Sequence, residues 1–276
     1  TDGSGDLARE RGARLLWLDG PARGPAFARN RGAEAARGEL LLFVDADVTV
    51  HPDTLGRIQQ VMGENPEWAA VFGSYDDDPP GRTLVSRYKN LQHHHVHQQG
   101  GRREAATFWA GCGAVRRDLF REVGGFDERY TRPSIEDIEL GVRLRQAGRH
   151  IWLCPDVFAT HHKRWTVTSW LRADIRDRAI PWTRLILQSK TLPADLNLTP
   201  QSRLSAAAAW TALVAAVLGL VWPWAWLGVF LSLGVIGWLN AGLYRLFARR
   251  GGAGLAVGGA GLHFCYLVYS SLVFAS

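Results

Sequence analysis

The sequence predicts an α/β domain with a mostly parallel sheet, followed by an all-α transmembrane module. Two observations carry that expectation. In residues 1–203 short apolar runs alternate with amphipathic stretches, the pattern of strands joined by crossover helices. Residues 204–276 contain no Asp or Glu, and their only Lys or Arg residues are Arg245, Arg249 and Arg250. All 26 acids and the other 29 Lys and Arg of the 276-residue chain therefore fall in the first part. With 47% hydrophobic and 21% charged residues, the chain is neither disordered nor fibrous. Its net charge of +6 is not gathered on a recognisable nucleic-acid-binding module, so nucleic acid is not expected as a partner. Cys112, Cys154 and Cys265 have the spacing of neither a disulfide framework nor a zinc site, and they fit a reducing compartment.

Taken in order, Thr1 to Asp6 reads as a loop entering a helix at residues 7–11, and an α/β domain seldom opens on such a loop. Strands are expected at 14–18, 40–44, 69–73, 108–115, 151–154 and 157–160. Pro25 opens a helix that runs to Arg37. Pro52 opens another, with Leu55, Ile58 and Met62 on one face. Helices at 84–99, 116–123 and 135–147 follow, the last ended by Gly148. Residues 161–190 hold seven bases against Asp174 and Asp177, with Trp165, Trp170 and Trp182 interleaved. That composition suits either a helix lying at lipid headgroups or an ordinary surface helix. Stretches 204–222, 224–243 and 255–274 are each about the ~20 residues that cross a bilayer. Residues 245–250 form the only charged loop between them, and the positive-inside rule puts that loop and the preceding domain in the cytoplasm.

Three patterns carry chemistry. The apolar run Leu40-Leu41-Leu42-Phe43-Val44 ends in Asp45-Ala46-Asp47. Carboxylates at the carboxyl end of a strand lie where α/β sheets bind ligands, and they can hold a divalent cation on a diphosphate. They can equally cap the next helix. In Ser134-Ile135-Glu136-Asp137, Ser134 and Asp137 can form a capping box, or Asp137 can act as a general base at a helix start. In His161-His162-Lys163-Arg164-Trp165, His161 can ligate metal, Arg164 can grip phosphate and Trp165 can stack on a sugar, or each can be structural. His93 and His97 share a helical face at i, i+4, with readings as metal ligands, acceptor contacts or a solvated face.

In this order the motifs resemble glycosyltransferase family 2, the inverting nucleotide-sugar transferases. The resemblance spans residues 1–165. It begins with Thr1-Asp2-Gly3-Ser4 and runs through Gly24-Pro25-Ala26-Phe27-Ala28-Arg29-Asn30-Arg31-Gly32 and Asp45-Ala46-Asp47. Gly111-Cys112-Gly113-Ala114-Val115-Arg116-Arg117, Val123-Gly124-Gly125-Phe126-Asp127-Glu128 and Glu136-Asp137 follow. It implies a Rossmann-like nucleotide-diphospho-sugar transferase (GT-A) domain, with a first strand and a nucleotide-holding acid expected before Thr1. It implies Asp137 as catalytic base supported by Glu136, and Asp47, Asp45 and His161 around Mg²⁺ or Mn²⁺. Asp45, Asp2, Arg29, Asn30 and Arg164 would bind the donor. Trp165, Trp109, His93 and His97 would meet the acceptor. The final motif is similar to the Gln-x-x-Arg-Trp of processive synthases, with His in place of Gln.

The expected division is a GT-A domain at 1–165, a basic interfacial segment at 166–203 and three transmembrane helices at 204–276. The expected partners are a nucleotide-sugar donor, a lipid or lipid-linked acceptor and the membrane. The enzyme is then a multi-pass protein of the inner (plasma) membrane with its catalytic domain cytoplasmic. A polysaccharide synthase subunit and a non-catalytic membrane scaffold are the other classes, and product size separates them.

Overall fold

The computed structural model describes residues 3–189 and 199–275. The first part is a three-layer α/β/α sandwich around a six-stranded sheet. Its strands are β1 (Leu40–Val44), β2 (Val48–Val50), β3 (Trp68–Tyr75), β4 (Arg103–Glu104), β5 (Cys112–Arg116) and β6 (His150–His161), in the order β1-β5-β3-β6-β2, with β4 also on β6. The helices of this part are α1 (Ser4–Glu10), α2 (Gly24–Ala35), α3 (Thr54–Glu64), α4 (Leu84–Gln98), α5 (Arg117–Glu122) and α6 (Glu136–Gln146). Strand alternation sorts the core into two. Phe43 and Phe72 pack with Ala26, Ala33, Leu140 and Leu144 of α2 and α6 on one face. Val71, Ala114 and Val157 pack with Ile58, Val61 and Met62 of α3 on the other. Leu55, expected on the inner face of α3, is 55% exposed.

The sheet is not mostly parallel. Only β3 and β6 pair in parallel, while β1–β5, β3–β5, β2–β6 and β4–β6 are antiparallel. Strands β1, β3 and β6 still point one way, as a crossover pattern demands. Strand β5 enters between β1 and β3 from their carboxyl end, with Cys112 opposite Val44. It is shorter than the expected 108–115, and Phe108 to Gly111 instead form the approach to the sheet's carboxyl edge. The segments 151–154 and 157–160 are one strand, β6, with an irregular register against β3 between Phe72 and Ser74. Residues 14–18 are not a strand: no described strand pairs with them, and Trp17 is 72% exposed.

The second part begins at α7 (Val167–Leu171), continues through a π-helical stretch Arg172–Ala179 into α8 (Ile180–Ser189), and resumes with α9 (Pro200–Leu218), α10 (Ala225–Leu239) and α11 (Ala241–Ala275). Trp165 and Trp170 do not face outward. They are buried with Tyr88 and Leu91 of α4 and with Phe247 and Leu255 of α11, so two of the three Trp side chains of 161–190 go into internal packing while Arg172, Arg176 and Arg184 stay exposed. The expected loop 245–250 is helical. It lies within α11, which bends at Gly252 (φ 67°), a left-handed conformation that favours glycine. Arg250 pairs with Asp77 of the α/β part, and Phe247 is fully buried. Of the three expected crossings, one described helix, Ala241–Phe274, is long and apolar enough to cross a membrane by length and composition, and Ala225–Leu239 is apolar but shorter. The α9–α10 hairpin exposes Val217, Val221, Trp222, Trp224, Phe230 and Trp238, each at least 60%.

Candidate active site

The carboxyl edge of the sheet gathers side chains far apart in sequence. From α2, Arg29 donates to Asp45 Oδ1 at 2.6 Å and to Glu136 Oε1 at 2.8 Å, joining the end of β1 to the start of α6. The other Glu136 oxygen accepts from the Ser134 backbone N–H at 2.8 Å. Glu136, with one bond to each oxygen and 4% exposed, is a clamp on Arg29.

Asp137 is placed differently. Its Oδ2 accepts from the Ala110 N–H at 3.1 Å and its Oδ1 from the Ile138 N–H at 2.8 Å, with no cation in hydrogen-bond contact. The Ala110 bond requires α6 to lie hard against the approach to β5. Gly141 permits this, since a Cβ there would stand 2.2 Å from the Phe108 backbone nitrogen. Burial, then the neighbouring Glu136 charge, pushes the Asp137 carboxyl up to about 6. The capping-box reading does not hold. The residue before α6 is Ile135 with no side-chain cap, and Ser134 Oγ donates instead to the Asp177 carbonyl at 2.7 Å.

Beyond β1, Asp47 Oδ2 lies 3.7 Å from His161 Nε2 and 4.0 Å from Lys163 Nζ. At 3.7 Å the His161 contact is longer than a direct hydrogen bond. His161 beside it is the main reason the Asp47 carboxyl sits below its ordinary value. His161 ends β6 and stacks flat on Tyr75, which ends β3, with centroids 4.3 Å apart and planes at 3°. Trp109 meets Tyr75 edge-on at 4.8 Å and remains partly exposed on the cleft. Sequence reasoning passed over Tyr75, although the strand-end rule that found Asp45 applies to it equally.

Several expected contacts fall elsewhere. His97 is 4% exposed beneath the cleft, its Nδ1 2.9 Å from the Gly73 carbonyl, and burial lowers its pKa to about 4. His93 packs 4.4 Å from Tyr75 and 4.0 Å from His97, and burial holds it well below the ordinary value. Both imidazoles are therefore neutral core groups at neutral pH, and His97 does not reach an acceptor. Asn30 spends its amide on Phe126 and Glu128: both backbone groups of Phe126 and a Glu128 oxygen bind it, so it staples a loop rather than a donor. Trp165 is 6% exposed in the helical core, away from any sugar face. Arg164 is exposed just past β6. Asp2 lies outside the described residues. No group of three or more His, Cys, Asp or Glu side chains among the described residues is gathered closely enough to hold a metal. A pair such as Asp47 and His161 still suits a hard cation that takes its remaining ligands from substrate phosphates and water.

The family model described as glycosyl transferase family 2 matches residues 1–124, and that of the N-terminal domain of galactosyltransferase matches residues 91–163. The chain is 31% identical over 160 residues to the pre-mycofactocin glycosyltransferase of Mycobacterium tuberculosis, covering 54% of this chain and 32% of that one. It is 48% identical over 52 residues to the N-acetylglucosaminyl-diphospho-decaprenol L-rhamnosyltransferase of the same organism, 19% of this chain and 17% of that one. The chain thus spans a third or less of the length of these relatives. Among solved structures, the mannosyltransferase PcManGT from Pyrobaculum calidifontis, in complex with GDP-Man and Mn²⁺, aligns with 94% of this chain and 74% of its own at a TM-score of 0.50 and 18% identity, a likeness of fold.

Proposed function

We propose that the protein is a glycosyltransferase of the family 2 type, and that it moves a sugar, with inversion, from a nucleotide sugar to a lipid or lipid-linked acceptor at the cytoplasmic membrane face. The observation that carries this reading is the meeting of Asp45, Asp47, His161 and Asp137 at one sheet edge, with Arg29 tying the donor side to the base side. The acceptor oxygen attacks the anomeric carbon as the bond to the diphosphate breaks. Asp137 receives the acceptor proton, a role worth roughly 10²–10⁴ in rate. Its pKa of about 6 leaves it ionised at neutral pH yet basic enough to take a proton. Asp47 and His161 would hold Mg²⁺ or Mn²⁺, with Asp45 beside them. That ion, when bound, offsets the charge gathering on the leaving diphosphate. Arg29 and Asp45 hold the donor side of the cleft, and Trp109 offers an aromatic face to a sugar.

A lipid acceptor is supported by the exposed apolar surface of the α9–α10 hairpin. Arg250 bonds the catalytic domain at Asp77, which keeps the arginines of α11 on the same side of the bilayer as the active site. The relative named for a diphospho-decaprenol acceptor points the same way. A second reading, pre-mycofactocin as acceptor, is favoured by the 31% identity to that enzyme.

The test supplies membranes bearing the full chain with a panel of nucleotide sugars, Mn²⁺ and either a polyprenyl phosphate or pre-mycofactocin. One sugar on the polyprenyl lipid supports the proposal. Transfer to pre-mycofactocin alone moves the protein to the second reading. A polymer identifies a synthase, and no transfer from any donor overturns the proposal.

A further inference from the structure

A cavity of about 120 Å³ lies between α4, the π-helical stretch, α8 and α11, outside the cleft just described. Its lining includes the polar Gln92 of α4 and Arg178 of the π-helical stretch, together with Trp182, Ile186, Tyr266 and Phe274. Asp174 also reaches the cavity, but its oxygens are taken: Lys89 Nζ binds both, at 3.0 and 2.8 Å, Trp170 Nε1 binds at 2.9 Å and Tyr269 Oη at 2.6 Å. Lys89 and Asp174 cancel each other, and the Arg178 guanidinium is left as the surplus charge at the cavity. The cavity therefore offers one cation and an aromatic wall, the complement of an anionic amphiphile. Its volume equals about four waters at ~30 Å³ each, enough for a phosphate-sized head and too small for an oligosaccharide. Phe274, in the lining, is itself 45% exposed, so an apolar tail can leave along the end of α11.

The cavity backs onto the active site. Gln92 adjoins His93, whose ring packs 4.4 Å from Tyr75, and Tyr75 stacks on His161. Asp177, next to Arg178, accepts the Ser134 Oγ hydrogen bond at 2.7 Å, which anchors the π-helical stretch to the loop that presents Asp137. A head held at Arg178 therefore lies on the helical stretch that is bonded to the Asp137 loop.

We propose that this cavity seats the phosphate of an isoprenoid-type lipid acceptor, with Arg178 on the phosphate and Trp182, Ile186 and Phe274 along the first apolar units. The assignment rests on the lipid-acceptor reading above and adds its binding residues. Trp182 and Arg178 are positioning residues, since neither belongs to the donor or base machinery.

The test measures equilibrium binding of radiolabelled geranylgeranyl phosphate to the full chain in phosphatidylcholine nanodiscs, with geranylgeraniol and inorganic phosphate as competitors. The expected outcome is saturable binding that either competitor displaces at least tenfold less well than unlabelled geranylgeranyl phosphate. Arg178→Gln should weaken binding at least tenfold, Arg178→Glu should abolish it, and Arg178→Lys should keep most of it. Arg178 is exposed, so Arg178→Lys and Arg178→Gln should stay close to the wild-type melting temperature and nucleoside-diphosphate affinity. Trp182→Phe should bind as the wild type and Trp182→Ala several-fold more weakly. Unchanged binding across the Arg178 series overturns the cavity assignment, and so does displacement by inorganic phosphate as effective as by the lipid. Two failures are kept apart by following sugar transfer in the same nanodiscs. Transfer to lipid that ignores the Arg178 charge removes this site but leaves the function standing, whereas a wild-type chain that neither binds nor glycosylates the lipid removes both.

Discussion

Two carboxylates, the half-buried Asp137 and the buried Asp174, show how the same group is left basic in one region and pinned in the other. Asp174 sits among the helices with four hydrogen bonds from Lys89, Trp170 and Tyr269, filling the acceptor sites a carboxylate offers. Burial alone would raise its pKa, yet Lys89 and Arg178 bring it below the ordinary value. Asp137 receives only two backbone N–H bonds and has a second carboxylate, Glu136, beside it. Its nearest cation, Arg29, is spent on Asp45 and Glu136. Withholding a partner is what keeps Asp137 basic, and supplying every partner is what makes Asp174 a fastener.

The largest effect should come from Asp137→Asn, expected to lower turnover by roughly 10²–10⁴ while leaving nucleoside-diphosphate binding near wild type. Its stability should hardly move, for reasons of opposite sign. The folded pKa of about 6 exceeds the ordinary 3.8, so folding loses stability as pH rises through that window and Asn removes the loss. Against this, the amide leaves the Ala110 or Ile138 N–H without an acceptor, at about 1–3 kcal/mol. A melting temperature that collapses along with activity would make Asp137 a fastener like Asp174.

Lys89→Met tests the other region. It strands the Asp174 charge, whose side chain is 6% exposed, and should cost about 3–5 kcal/mol. Thermal unfolding of the full chain in detergent reads this directly. If Lys89→Met is neutral to stability and abolishes sugar transfer, the two regions have exchanged roles.

A smaller effect should appear in the pH profile. With Asp137 required ionised, kcat/KM should fall tenfold per pH unit below about 6. Arg29→Gln withdraws a positive charge that lowers the Asp137 pKa, so the acid limb should move to higher pH, and Arg29→Lys should move it back. A limb that stays fixed would mean that another group sets it.

What could be read beforehand follows the range of the interactions involved. Asp45-Ala46-Asp47 was legible because strand and site adjoin in sequence, and the start of α6 for the same reason. The antiparallel entry of β5 was not, since an apolar run does not encode strand direction. Ser134 looked like a cap because its actual partner, Asp177, is 43 residues away. Nothing local to Asn30 shows that its amide bonds the Phe126 loop, 96 residues on. Residues 245–250 read as a charged loop because nothing local shows that Phe247 docks on Tyr88 of α4. The two-region contrast itself was invisible, since a sequence states charges but not which of them meet.

The smallest effect tests whether the helices are held on by burial or by surface charge. Arg250 donates from Nε to Asp77 Oδ2 at 2.8 Å, and its backbone carbonyl accepts from Arg87, so the bend of α11 looks electrostatically pinned. The Arg250 side chain, however, is 45% exposed, and water and salt screen such a pair. Arg250→Ala should therefore cost no more than about 1 kcal/mol, and the deficit should vanish in high salt. The Arg87 bond to the backbone survives the substitution, and Phe247 and Leu255 stay buried against Tyr88 and Leu91. Measured beside Lys89→Met in the same detergent, Arg250→Ala should lower the melting temperature by the smaller amount. A loss as large as that of Lys89→Met would place the hold of α11 in its surface charges, and the saturated Asp174 would no longer explain how the helices stay on the catalytic domain.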